Sequence, residues 1–253
     1  EKNNLLNARS ALLTSKGEKN SLKNTFVNFV GIKKKVVNYG IIKPQYDKNK
    51  YSSLFYKKFK ELKNKNFYLF LGRYHEKKGC EIIIEAIHKF KKNFKEVVLM
   101  VGPLKNTAYE KKIFNLRKKY KLDKKIIISD ALYGNYKWAA ISESKAMLLP
   151  SHGENFGVSI AESLCFSRPV LISNKVNIYK DIIKYDAGLV SKNSSYEFMK
   201  ILKQFSKFNN KKLIKLRKNS QKCFNENYNL FKNQNELYNL INQRIYKIKQ
   251  SHN

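Results

Sequence analysis

From residue 67 onward, short apolar runs alternate with longer segments of helical spacing. The runs Phe67–Leu71, Val97–Val101, Ile126–Ile128, Ala146–Leu149, Val170–Ile172 and Gly188–Val190 are almost wholly apolar. Such runs read as strands covered on both faces. Between them lie predicted helices at Cys80–Phe90, Tyr109–Tyr120, Trp138–Ser144, Phe156–Phe166 and Ile178–Lys184. In the first of these, Ile83, Ile84, Ile87 and Phe90 share one face. Strand–helix alternation of this kind predicts an α/β fold with a doubly wound parallel sheet. Ligands of such sheets bind beyond the carboxyl ends of the strands.

The flanks read differently. Upstream, Ala11–Thr14 and Lys35–Val37 are strand-like, Ser15–Phe29 is helical, and Asn38-Tyr39-Gly40 marks a turn. A lysine- and tyrosine-rich linker follows, with a helix at Ser52–Leu62. From Ser194 on, three amphipathic helices are expected: one carrying Phe198, Ile201, Leu202 and Phe205, one carrying Leu213, Leu216 and Phe224, and one spanning Leu230–Ile248.

Composition narrows the classes of partner. The formal charge of +33 in 253 residues invites a nucleic-acid reading. The cations are overwhelmingly lysine, however, with arginine only at 9, 73, 117, 168, 217 and 244. Arginine is the usual bidentate reader of bases and phosphates. No nucleic-acid partner is therefore expected, and an anionic membrane surface suits the charge better. The cysteines Cys80, Cys165 and Cys223 form no C-x-x-C pair, so neither a zinc site nor a disulfide framework is suggested. Cys80 and Cys165 fall at core positions, which fits a reducing cytoplasm. No apolar leader and no membrane-spanning segment is expected, because no apolar run here is long enough to span a bilayer.

Two stretches carry candidate chemistry. In Gly72-Arg73-Tyr74-His75-Glu76-Lys77-Lys78-Gly79, directly after the first long strand, Arg73 and Lys78 are placed over the carboxyl edge of the sheet. Two cations there can neutralise a departing diphosphate. In Pro150-Ser151-His152-Gly153-Glu154-Asn155-Phe156-Gly157-Val158, a strand ends at a proline and a helix opens. Asn155 is placed to cap that helix. Gly157 allows close approach, and the free amides of Phe156, Gly157 and Val158 suit an anion such as phosphate. Glu154 and Glu162, with seven residues between them, flank that anion site. A carboxylate at 162 among Ile160, Ala161, Leu164 and Cys165 needs a donor to be buried. His75 and His152 fall inside the two stretches and read as structural or solvated, while His88 and His252 read as incidental. No D-x-D pair is present, so no metal and no cofactor is expected.

Together, G-R-x-x-x-x-K-G and P-S-x-x-E-N-F-G with its E-x7-E spacing resemble the donor site of retaining GT-B glycosyltransferases of glycosyltransferase family 4. The resemblance implies a Rossmann-like donor domain and a nucleoside-diphosphate sugar as co-substrate. It implies transfer with retention to a glycan or lipid-linked acceptor. Arg73 and Lys78 would clamp the diphosphate, with Arg73, Lys78 and Glu154 as the catalytic group. Glu154 would contact sugar hydroxyls, Glu162 would hold ribose, and Asn155, Phe156, Gly157 and Val158 would line the donor. Gly134–Trp138 falls where the family holds the base. Ser15-Lys16-Gly17-Glu18 and the Asn38–Ile41 turn match the elements that close the family's first domain. Residues 1–40 are accordingly expected to be the end of an acceptor domain, 41–66 a linker, 67–227 the donor domain and 228–253 a crossing helix. The rest of the first domain, or a partner chain, is expected to complete the enzyme. The competing reading is a non-catalytic nucleotide-sugar-binding or assembly module.

Overall fold

The computed structural model describes residues 8, 10–21, 33–37, 39–235, 237–239 and 242. In chain order the elements are β1 (Ser10–Leu13), α1 (Lys16–Ser21), β2 (Lys33–Val36), α2 (Lys48–Lys58), β3 (Phe67–Leu71), α3 (Cys80–Phe90), β4 (Val97–Val101), α4 (Ala108–Lys119), β5 (Ile126–Ser129), α5 (Gly134–Glu143), β6 (Ala146–Leu149), α6 (Val158–Cys165), β7 (Val170–Ser173), α7 (Tyr179–Lys184), β8 (Gly188–Ser191), α8 (Ser195–Ser206) and α9 (Asn210–Asn227).

Strands β3 to β8 form one parallel sheet in the order β5-β4-β3-β6-β7-β8. Helix α3 packs on α4 and on α8, whereas α2 packs on α5 and α9 packs on α6 and α7. Covered on both sides, the central strands have no solvent face, which is why Val97–Val101 and Ala146–Leu149 are buried at every position. The strand order reverses direction between β3 and β6. Loops leaving those two neighbours diverge to opposite faces and leave a crevice between them. Both motif loops, 72–79 and 150–157, leave the sheet at this crevice.

Strands β1 and β2 form a separate two-stranded parallel sheet. Ser15 caps α1 by accepting from the Glu18 amide at 3.0 Å, and Glu18 reaches back to the Thr14 amide at 2.6 Å. The rest of the helix expected over Ser15–Phe29, from residue 22, lies outside the described residues. So does Asn38. The linker helix is displaced relative to expectation: it runs Lys48–Lys58, because Asp47 caps it through the Lys50 amide at 3.1 Å. It is followed by a single 3₁₀ turn at Lys60–Leu62. Helix α5 starts four residues before the expected Trp138. Of the last expected helix, residues 230–235, 237–239 and 242 are helical and the remainder lies outside the described residues. Among the described residues no helix is long and apolar enough to cross a membrane.

Candidate functional site

The first motif loop is pinned at its start by Tyr74. Its buried hydroxyl lies 2.8 Å from both the Met100 and the Ser129 carbonyls, at the carboxyl ends of β4 and β5. Burial raises this phenol well above its ordinary range, so it stays a donor. His75 Nδ1 then accepts from the Lys77 amide at 3.1 Å and caps a 3₁₀ turn at Glu76–Lys78. Gly79 closes the loop in the left-handed region at φ +67°, where a Cβ would sit 2.3 Å from the Pro150 carbonyl oxygen. Only a residue without Cβ lets the two loops touch at this point.

The second loop is stitched to the first and to the strands beyond. The His152 amide donates to the Lys77 carbonyl at 2.8 Å, and Ser151 Oγ donates to the same oxygen. Asn193, after β8, donates to the Pro150 and Ser151 carbonyls at 3.0 and 3.1 Å. The backbone of Glu154 is held by the loop after β7, through the Lys175 carbonyl at 3.2 Å and the Asn177 amide at 2.9 Å. Gly157, at φ +72°, then turns the chain into α6 as its N-cap. The amides of Gly157, Val158 and Ser159 make no hydrogen bond among the described residues. The helix mouth therefore presents free donors and the positive end of its dipole.

Between the loops lies a cleft of about 380 Å³, lined by Arg73, Lys78, Lys137, Glu154, Val158 and Glu162, among others. Lys78 Nζ forms an ion pair with Glu154 Oε2, and Lys137 Nζ lies 2.8 Å from Glu162 Oε1. Arg73 is exposed and has no ion pair among the described residues. Three cations and two carboxylates thus share one rim with a helix mouth. The excess positive charge faces the space an anion would occupy.

The structure thus gathers Arg73, Lys78, Glu154, Gly157, Val158 and Glu162 on one cleft. It does not bring in the side chains of Asn155 and Phe156. Asn155 does not cap α6, contrary to expectation; its amide group donates to Glu18 Oε1 at 3.3 Å and its oxygen accepts from Asn177 at 3.4 Å. The tight turn at Gly157 moves the helix start to Val158, beyond the reach of that side chain. Phe156 is wedged edge-on between Tyr39 and Tyr228, with centroids 4.9 and 5.5 Å away. Both residues line a second cavity of about 1000 Å³ between α1 and the first cleft, and Glu154 borders both spaces.

Two residues of consequence had no individual signal in the sequence. Lys137 supplies the donor that Glu162 needs in order to be only 9% exposed. It falls in the Gly134–Trp138 segment, and its ammonium also rests 3.8 Å above the Trp138 ring. Tyr74 is the other. His152 pairs with Glu81 at 2.8 Å and His88 stacks on Tyr120 at 3.9 Å, both structural arrangements; His252 lies outside the described residues. All three cysteines are free and buried. Burial pushes the Cys80 and Cys165 thiols up to about 12, which leaves no thiolate for nucleophilic work near neutral pH. No group of three or more His, Cys, Asp or Glu side chains is placed to hold a metal among the described residues.

Solved structures share this architecture. Sucrose-phosphate synthase from Thermosynechococcus elongatus superposes with a TM-score of 0.83 at 17% identity, covering 97% of this chain and 61% of that one. A glycosyltransferase from Rickettsia africae ESF-5 gives 0.78 at 19%, covering 94% and 63%. HepE from Anabaena, in complex with UDP and glucose, gives 0.80 at 14%, covering 93% and 63%. The chain therefore spans about three fifths of the length of these structures. No curated protein matches the chain in sequence. The family described as glycosyl transferases group 1 matches residues 53–223, most of the chain and both motif loops. The chain belongs to the glycosyl transferases group 1 family.

Proposed function

We propose that this chain is the donor-binding half of a retaining GT-B glycosyltransferase of family 4, taking a sugar from a nucleoside-diphosphate sugar without a metal ion. Residues 67–227 serve as the donor domain, residues 1–40 belong to an acceptor domain, the acceptor is a glycan or lipid-linked, and the chain works in the cytoplasm. The observation that carries this reading is the convergence of Arg73, Lys78, Glu154, Glu162 and the α6 mouth on one cleft at the switch point of the sheet. The UDP-glucose held by HepE supports a nucleotide-sugar donor.

On this reading the diphosphate takes over the ammonium of Lys78 from Glu154 and adds Arg73 and the free amides of Gly157, Val158 and Ser159. Glu154, released from Lys78, accepts hydrogen bonds from the sugar hydroxyls. Glu162 accepts from ribose hydroxyls while Lys137 keeps its charge balanced. Breaking the sugar–phosphate bond builds negative charge on the leaving nucleoside diphosphate. Fixed cations and helix amides stabilise that charge more in the transition state than in the bound donor. Turnover needs both reactants held together, so the donor half alone binds donor and transfers little.

Calorimetry with a panel of nucleoside diphosphates and their sugars, in the presence of a chelator, tests the reading. Arg73→Ala and Glu162→Ala each weaken binding of the best ligand by about tenfold or more. Co-expression with a chain carrying an acceptor domain then separates an enzyme from a binding module: rescued transfer with retained anomeric configuration supports the enzyme, and donor binding without transfer supports the module.

A further inference from the structure

The two ends of strands β3, β4 and β5 differ sharply in charge. The segments leading into these strands, 63–66, 91–96 and 118–125, contain ten lysines and two acids. Those leaving the same strands, 72–79, 102–107 and 130–133, contain three lysines, one arginine and two acids over the same number of residues. The two acids of the first group do not neutralise its lysines. Glu96 pairs with Lys145 at 2.8 Å, and Asp123 lies 3.3 Å from Arg117. Two of the ten lysines stitch the segments together: Lys91 Nζ donates to the Tyr120 carbonyl at 3.1 Å and Lys125 Nζ to the Phe94 carbonyl. The other eight are exposed and make no ion pair among the described residues.

We propose that this amino edge of the sheet docks on a membrane surface through anionic phospholipid headgroups. Its exposed lysines come from three neighbouring segments, two of the lysines from the last turn of α4 and the rest from loops, so their fields add over one face. They are compact point charges, suited to a diffuse negative surface rather than to bidentate reading of bases. No large apolar or aromatic side chain is exposed in these three segments, so there is neither a stacking platform for single strands nor a wedge for insertion into lipid. Attachment is therefore electrostatic. The donor cleft, at the opposite edge, stays open while the chain is held. The proposal does not depend on the donor chemistry, and its test reads a different signal.

Co-sedimentation of the chain with phosphatidylcholine vesicles, with and without phosphatidylglycerol, tests it. The chain is expected to sediment only with the anionic vesicles and to be released by salt. Each lysine removed lowers partitioning about fivefold, so changing Lys65, Lys92, Lys121 and Lys124 together to Gln lowers it on the order of several hundredfold. The matched set Lys105→Gln, Lys175→Gln, Lys180→Gln and Lys192→Gln makes the same change of net charge at the opposite edge and keeps binding near the wild-type level. Equal loss in the two sets overturns the proposal, because the attraction would then come from total charge. Equal binding to both vesicle types, or binding to a DNA or RNA duplex but not to vesicles, overturns it as well.

Discussion

Changing Gly79 to Ala tests whether the two motif loops must touch for the site to exist. The perturbation has two parts. An alanine at φ +67° costs about 1–2 kcal/mol for the left-handed backbone alone. Its Cβ would also lie 2.3 Å from the Pro150 carbonyl oxygen, so the loops must separate by roughly an ångström at a further cost of about 1–3 kcal/mol. The sum, about 2–5 kcal/mol, lowers the melting temperature by about 5–15 °C in a domain of this size. Separation also breaks the His152–Lys77 backbone bond and moves Lys78 away from Glu154, so affinity for a nucleoside diphosphate falls at least about tenfold. Gly134→Ala is the control: it sits at φ +51° with nothing within 4 Å of the added Cβ, so only the backbone cost applies. Urea unfolding followed by circular dichroism, with calorimetry on the folded protein, measures both effects. The reasoning is refuted if Gly79→Ala is no less stable than Gly134→Ala and binds donor as tightly as the wild type.

Other outcomes follow from the same geometry. Lys78→Ala removes the proposed diphosphate contact and also leaves Glu154 unpaired at 18% side-chain exposure, so it destabilises the fold by about 1–2 kcal/mol, whereas the exposed Arg73→Ala does not; thermal melts of the two variants separate the effects. Lys137→Met strands the carboxylate of Glu162 and costs about 1–3 kcal/mol, most of it recovered in the double variant with Glu162→Gln, as a double-mutant cycle in urea measures. The Cys80 and Cys165 thiols stay protonated in the fold up to about pH 12, while unfolded thiols ionise from about pH 9. The stability they contribute is therefore complete below about pH 9 and lost as pH rises through that window. Alkylation by iodoacetamide at pH 9 should consequently track global unfolding.

Much of the fold was legible because the strands are buried on both faces. Runs such as Val97–Val101 and Ala146–Leu149 have no polar alternation to confuse them with surface strands. The motif loops were legible because their glycines, cations and acids stand at the ends of such runs. Lys137 was not, since one lysine among so many has no distinguishing neighbour in sequence. Its role arises from a contact 25 residues away with Glu162. Asn155 misled for a related reason. A local capping rule competes with a bond to Glu18, 137 residues distant, and the left-handed turn at Gly157 decides the contest. The lysine-rich edge looked diffuse along the chain because its three segments lie far apart in sequence. Parallel pairing of β5, β4 and β3 brings them side by side.

The most direct measurement of the central claim is a calorimetric titration of this chain with nucleoside diphosphates in the presence of a chelator, run in parallel on Arg73→Ala. One nucleoside diphosphate is expected to bind the wild type, and the variant is expected to lose about 10- to 150-fold in affinity, the worth of one charge-assisted contact of roughly 1.5–3 kcal/mol, without a change in melting temperature. An Arg73→Ala protein that binds as tightly as the wild type, or a folded wild type that binds none of them, would contradict the account.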